Sequence, residues 1–351
     1  MFGPDLAHPP ASFRSSQLNY PGGPVEDENS PHTSLYVHSA RLEKGLPCDL
    51  SWTISHATPM AREARLMSMV RSYAFKAAAV CLALCAQGVC AEANELASAW
   101  SEGKRESKAR LVAGSVSGQS MAAVEIVLSE GWKTYWRVPG DAGGVPPVFN
   151  WSKSQNVASA KVLYPVPTRF ADKDGDTLGF KGSAIFPVVV TPKDATQQVD
   201  LVLVLEYGIC REICIPVEAE LTVSIPAGDT GPLPAAVTAA LDRVPRAVGA
   251  RRSNDPILTK TEVRLDGPHP SIAIEAEFPG GTANAAVYVE SAGGDYIPLP
   301  KLGSGKAAGT DTLRFEIDLT GAVDPADIRG KDAKVTLVSA LGLTEATFKF
   351  E

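Results

Sequence analysis

The segment "EYGICREICIPVEAEL", residues 206–221, holds two cysteines four positions apart. Cys210 and Cys214 have three chemistries open to them: a permanent staple, a metal site, or exchange with an outside thiol. Residues four apart in an extended strand share a face but stand about 13 Å from each other. A disulfide needs Cα atoms within about 7 Å. A bonded pair therefore requires a tight turn or a single helical turn. Strand-like runs flank the segment (198–207 and 218–226), and Pro216 interrupts any continuation, so a β-hairpin with the cysteines at its tip is the simplest arrangement. As a staple, so small a ring stabilises by only about 2 kcal/mol on the chain-entropy argument. As a metal site, two thiolates suit Cu(I). As a redox pair, Arg211 favours a thiolate at its neighbour and Glu212 opposes it. At this level all three remain open.

The rest of the chain narrows the chemistry. The 351 residues carry 33 Lys and Arg against 40 Asp and Glu, a net charge of −7, and no basic patch with interleaved aromatics. That argues against an electrostatic nucleic-acid binder. The stretch "MSMVRSYAFKAAAVCLALCAQGVCAEA" from Met67 has basic residues Arg71 and Lys76, an apolar run Ala77–Ala86 and the small-residue site Val89-Cys90-Ala91. This is the layout of a secretory signal peptide spanning 67–91, with cleavage expected after Ala91. Its apolar run is too short to span a bilayer. Residues 1–66 would then precede an export signal, as a non-native or disordered extension with Met67 or Met69 the expected start. Removal of residues 1–91 takes Cys48, Cys81, Cys85 and Cys90 with it, and every histidine but His269. That leaves a Ser-His-Asp triad, a Cys-His dyad or a His-based metal site no histidine but His269, which argues against all three. Met121 is then the last methionine, which leaves a Cu(I) site without a thioether cluster.

The elements that must position the pair read as β. After a polar, charged lead-in over 92–113, strand-length runs appear at 121–129, 160–167, 183–191, 198–207 and 218–226, with the Trp132/Tyr135/Trp136 cluster and a Gly/Pro turn between the first two. Short strands at this spacing indicate a sandwich or barrel. The aromatic cluster is expected to pack one edge of it, with a secondary role in partner contact. Residues 227–255 are Pro/Ala-rich with one helical stretch near 234–243 and read as a connector. From 256 to 351 six further strands make a second, cysteine-free sandwich, expected to be scaffold or docking surface. His269, in "DGPHPS", reads as a turn residue.

Four stretches go beyond composition: "GWKTYWRVPGDAGGVPPVFNW", "YPVPTRF", "GFKGSAIFPVVVTP" and "EYGICREICIPVEAEL". Together they resemble the periplasmic N-terminal domain of the DsbD family of thiol:disulfide interchange proteins, in the ScsB-like branch where the cysteines are spaced C-x3-C. The resemblance covers roughly 120–226. It implies an immunoglobulin-like sandwich for residues 92–226 with the Cys pair; with the connector 227–255 and the strands of 256–351 read above, the chain is expected to be all-β, two immunoglobulin-like sandwiches. It further implies a periplasmic component of a protein-disulfide reductase system. Cys210 and Cys214 would be its catalytic residues, with no cofactor and no metal. They would take electrons from a membrane-embedded or thioredoxin-like donor and pass them to oxidised periplasmic thiol proteins. The family's shielding cap corresponds to the loop 169–182, with Phe170 or Phe180 as the shielding aromatic and Asp172, Asp174 or Asp176 near the thiols. The family's transmembrane and thioredoxin segments are not found in these 351 residues, so the electrons are expected to come from a separate protein. The readings from other classes are a Cu(I)-binding copper-tolerance protein and a non-catalytic interaction module with a structural disulfide.

Overall fold

A computed structural model describes residues 96–351 apart from 103, 174, 229 and 305–310. The expected signal peptide, the segment before it, Cys48, Cys81, Cys85, Cys90 and Asp174 lie outside the described residues. Eleven strands form the first pair of sheets: β1 Leu96–Ala97, β2 Ser107–Val116, β3 Gln119–Leu128, β4 Lys133–Gly140, β5 Val148–Asn150, β6 Val157–Val162, β7 Thr168–Asp172, β8 Gly175–Lys181, β9 Ser183–Pro192, β10 Val199–Cys210 and β11 Cys214–Ile225. One sheet runs β1-β2-β3-β9-β6. The other runs β11-β10-β4-β8-β7, with β5 added on β10. Their inner faces share one core, in which Leu111, Val124, Ile126 and Phe186 meet Leu203, Leu205, Ile209 and Leu221. Phe186 is ringed by Phe149, Tyr164 and Phe180 with centroids 5.4, 5.4 and 5.5 Å away, all edge-on. Such pairs contribute about 0.5–1.5 kcal/mol each beyond their burial.

The run "MAAVEIVL" is apolar almost throughout because its sheet is covered on both sides. Ala122, Val124 and Ile126 face the sandwich core. Met121 and Ala123 point outward onto Leu233 and Val237, the latter from helix α1, Ala235–Asp242. The connector helix thus lies where the Pro/Ala-rich stretch suggests and packs on the outside of the sheet. The expected lead-in differs. Its last part is β2, a strand bonded on both sides, with Ala109, Leu111 and Ala113 inward. Lys108 and Arg110, which gave it a polar look, point outward and lie over the Trp100 ring at 4.3 and 4.6 Å.

Eight more strands follow: β12 Arg246–Ala247, β13 Ile257–Arg264, β14 Ser271–Glu277, β15 Ala286–Ser291, β16 Lys301–Leu302, β17 Thr312–Asp318, β18 Asp332–Val338 and β19 Leu343–Lys349. They form the sheets β12-β19-β18-β15 and β13-β14-β17-β16 around a second core that includes Phe278, Phe315, Val335 and Phe350. All six strands expected after residue 256 are present. The fold is all-β, two immunoglobulin-like sandwiches. His269 is exposed in the bend between β13 and β14.

The two sandwiches meet through β4 and the turn after it. Trp136 and Leu178 pack on Tyr288 and Leu299, and the Trp136 and Tyr288 rings stand 5.6 Å apart. Arg137 donates from Nε and Nη2 to Glu290 at 2.6–2.9 Å and from Nη2 to Glu345 at 2.7 Å.

Candidate functional site: the Cys210–Cys214 hairpin

β10 and β11 pair without a break from Val199↔Ile225 to Cys210↔Cys214, and residues 211–213 turn the chain. The cysteines are therefore the last rung of the ladder. Their Cα atoms are 4.2 Å apart and their sulfurs are bonded. The rung sits at the tip of the hairpin, where Arg211 N–H donates to the Ile213 carbonyl at 3.1 Å.

The two sulfurs are not equivalent. Cys210 is 3% exposed, since β10 is flanked by β4 as well as β11. Cys214 begins the edge strand β11 and is exposed. Ile213, beside it, is 66% exposed. A thiolate arriving from solvent can reach Cys214 Sγ and is screened from Cys210.

The register of β4 decides what lies over the pair. Lys133 is the ladder partner of Cys210, and Thr134 that of Ile209. Side chains alternate along a strand, so Lys133 and Tyr135 share the face of the cysteines while Thr134 takes the core face with Ile209. The Tyr135 hydroxyl donates to Cys210 Sγ at 2.7 Å, and its oxygen lies 3.4 Å from Cys214 Sγ. Burial, and secondarily the charge of Asp172, raises this phenol above its ordinary value. It therefore keeps its proton at neutral pH and remains a donor. Two glycines make room for the ring. A Cβ on Gly144 would stand 2.2 Å from Tyr135 Cε1, and one on Gly208 would stand 2.8 Å from the Val145 Cβ and 3.4 Å from the ring.

Lys133 Nζ donates to the Asp172 carboxylate and, at 3.2 Å, to Thr177 Oγ1. The Thr177 hydroxyl also donates to Asp172. The Lys133 ammonium and the Thr177 hydroxyl hold the Asp172 carboxyl below its usual range. Asp172 ends β7, so this cluster ties the tip of the β7–β8 hairpin to the strand beside Cys210.

The segment expected as a cap loop, 169–182, is that hairpin and not a loop. Phe170↔Thr177 and Asp172↔Gly175 are rungs of its ladder, and β8 is bonded to β4. The polar residues Asp172, Lys173, Gly175 and Asp176 at its end made the segment look irregular, yet Asp172, Gly175 and Asp176 lie on the ladder. The hairpin also separates the two aromatics. Phe170 pairs with Thr177 and lies under Lys181 Nζ at 4.3 Å, on the face of Lys133 and Tyr135. Phe180 pairs with Thr134 on the opposite face and packs on Phe186 in the core. Asp172 reaches Lys133, and Asp176 binds Arg169 Nε at 2.5 Å. Arg211 lies over the Trp132 ring at 5.7 Å, and Glu212 is exposed.

Sequence reasoning missed three contributors: Tyr135 on the sulfurs, Lys133 beside them, and Thr177 behind Lys133. Of the aromatic cluster, Trp132 enters the first core and Trp136 the joint between sandwiches. Tyr135 alone reaches the pair. The available signal was the period-two spacing of Lys133 and Tyr135 in one strand. Its meaning depends on β4 lying beside β10, some 75 residues later, which a local pattern does not carry.

Among the described residues, no helix is long and apolar enough to cross a membrane. Residues 105–226 match the family described as "Thiol:disulfide interchange protein DsbD, N-terminal", so the resemblance seen in the sequence is borne out over the segment that holds the whole site. Among solved structures, the chain is similar to the N-terminal periplasmic domain of ScsB from Proteus mirabilis, at 22% identity and a TM-score of 0.54, over 73% of this chain and 98% of that one. No curated protein matched.

Proposed function

We propose, from the premise that residues 105–226 form a DsbD N-terminal domain, that this protein is a periplasmic thiol–disulfide exchange module working through Cys210 and Cys214. In this reading the domain spans 92–226, the connector 227–255 and the second sandwich 256–351. The observation that carries the proposal is the asymmetry of the pair: an exposed Cys214, a buried Cys210, and a Tyr135 hydroxyl donating to the buried sulfur.

The steps follow from that asymmetry. A thiolate of a reduced donor, membrane-embedded or thioredoxin-like, attacks Cys214 Sγ. The Cys210–Cys214 bond breaks and Cys210 leaves as a thiolate. Tyr135 O–H already points at that sulfur and lowers the cost of the leaving charge, and a better leaving thiolate leaves faster. The donor's second thiolate then attacks its own sulfur in the mixed disulfide. The donor departs oxidised, and the pair holds two electrons and, after protonation, two thiols. In the second half-reaction the Cys214 thiolate attacks the disulfide of an oxidised periplasmic protein and expels one of its sulfurs. Cys210 then attacks Cys214 Sγ and releases the client as a dithiol. The Cys210–Cys214 bond is restored, and two electrons and two protons have passed to the client. No cofactor takes part.

In this reading the Phe170 side chain, on the sulfur face of the β7–β8 hairpin, partly shields the Cys210 side of the pair and leaves Cys214 open, and the Lys133–Asp172 pair ties that hairpin to β4. Partner docking would displace it.

The test is the reduction potential of the pair in purified protein, equilibrated against a dithiol buffer. A value of roughly −170 to −270 mV, the range of exchange proteins, supports the module. A value below about −300 mV marks a structural disulfide and overturns it.

A further inference from the structure

The second sandwich carries no cysteine, and its attachment bears on the redox pair. β4 pairs in register with its neighbours at both ends, with an irregularity between. Lys133, Thr134 and Tyr135 pair with β8, the register breaks, and pairing resumes only at Gly140. The pairing with β10 ends at Thr134. From Trp136 to Pro139 the strand runs through that bulge, out of regular register with β8 and beyond its register with β10. Besides Leu178 and Tyr164 of its own sandwich, the segment is held by side chains of the second: Trp136 packs on Tyr288 and Leu299, and Arg137 bonds to Glu290, Glu345 and, at 3.3 Å, Thr336. The Arg137 guanidinium also lies over the Trp136 ring at 4.4 Å.

A second route reaches the same tyrosine. The Asp141 carboxylate accepts from Tyr296 O–H at 2.8 Å and from Leu299 N–H at 2.9 Å, both in the second sandwich. Asp141 opens the turn that carries Gly144, and Gly144 lies flat against the Tyr135 ring with no room for a Cβ. The strand segment immediately after Tyr135 and the turn packed on its ring are thus both anchored to the second sandwich, in addition to the turn's own backbone bonds to the first, Ala142 N–H to the Asp176 carbonyl and Gly208 N–H to the Val145 carbonyl.

We infer that the second sandwich acts as a positioning device for Tyr135: through Arg137 and Asp141 it holds the phenol hydroxyl on Cys210 Sγ and so sets the dithiol–disulfide equilibrium of the pair. Arg137 and Asp141 are positioning residues and touch neither sulfur. The inference extends the proposed exchange function by giving the cysteine-free half a role in it. It predicts coupling. Loosening either anchor should matter only while Tyr135 has a hydroxyl to misplace.

A double-mutant cycle on the full chain reads this directly. Arg137→Lys keeps a cation for Glu290 and Glu345 but loses the forked geometry. Asp141→Ala removes the other anchor. Each is measured alone and with Tyr135→Phe, as the equilibrium constant of the Cys210–Cys214 disulfide against glutathione. Thermal unfolding verifies that each variant is folded, and Lys153→Ala, which breaks an exposed pair with Glu220, serves as a control expected to leave the constant unchanged. The expected result is a shift toward the disulfide of about threefold or more in the Tyr135 background, falling below about 1.5-fold in the Tyr135→Phe background. Equal shifts in both backgrounds, or no shift in folded variants, would overturn the inference. The cycle returns a value even if the bond proves to be a structural one. Its outcome is therefore separate from that of the exchange proposal, which rests on the absolute potential.

Discussion

The hydroxyl of Tyr135 stands 2.7 Å from the sulfur of Cys210 and donates to it. A donor so placed stabilises a thiolate more than a disulfide sulfur, since hydrogen bonds to charged groups are the stronger ones. Tyr135→Phe is therefore expected to favour the oxidised pair, lowering the reduction potential by about 30 mV, a tenfold change in equilibrium. Equilibration with glutathione measures it. An unchanged potential would remove Tyr135 from the chemistry.

Cys210→Ser leaves the exposed thiol. It should be alkylated rapidly by iodoacetamide and should accumulate a mixed disulfide with a reactive partner. Cys214→Ser leaves the buried thiol, expected to react at least about tenfold more slowly, since reactivity follows access as well as thiolate fraction. Quenched-flow alkylation followed by mass spectrometry gives both rates. Equal rates would contradict the order of attack proposed above.

The two phenylalanines of the β7–β8 hairpin should separate cleanly. Phe170→Ala is expected to speed reduction of the disulfide by a small phosphine severalfold with little loss of stability. Phe180→Ala removes an edge-on partner of Phe186 and should cost about 2–4 kcal/mol on urea unfolding, with the reduction rate nearly unchanged.

Gly144→Ala forces a methyl group into the Tyr135 ring at a residue with φ of 149°. Overpacking of this kind costs about 1–3 kcal/mol. The ring must move to relieve it, so the potential should shift in the direction of Tyr135→Phe. A stability loss with no change in potential would show that the ring tolerates the displacement.

Acid sensitivity should trace to Asp255. Its side chain is fully buried, yet bonds from Arg246 Nε at 2.6 Å and from the backbone N–H groups of Arg252 and Leu343 outweigh the effect of burial and lower it from 3.8 to about 2. A carboxyl lowered on folding stabilises the protein above its unfolded value. That gain, about 2 kcal/mol here, is lost as pH falls from about 4 through about 2. In Asp255→Asn this part of the stability curve should flatten, as read by urea midpoints across the window.

The hairpin tip was legible because four-residue spacing and strand geometry leave a bonded pair few options, and the six strands after Pro256 because their alternation is clean. β2 was hidden by Lys108 and Arg110, whose outward charges mask the inward Ala109, Leu111 and Ala113. The β7–β8 hairpin was hidden by its polar turn. The long-range contacts around the Cys pair were not legible at all. Tyr135 to Cys210, Lys133 to Asp172 and Arg137 to Glu290 join residues 75, 39 and 153 positions apart. Each depends on strand order, which no local period encodes.

The unbroken twelve-rung ladder that ends at Cys210↔Cys214 has a kinetic consequence. Backbone pairing brings the two sulfurs together, whether or not a covalent bond joins them. Opening the bond therefore requires no slippage of the hairpin, and closing it requires no search. On the proposed exchange function, both oxidation states are expected to keep this ladder and to differ at the two cysteine side chains. If the pair exchanges as proposed, each cycle is expected to need little conformational reorganisation.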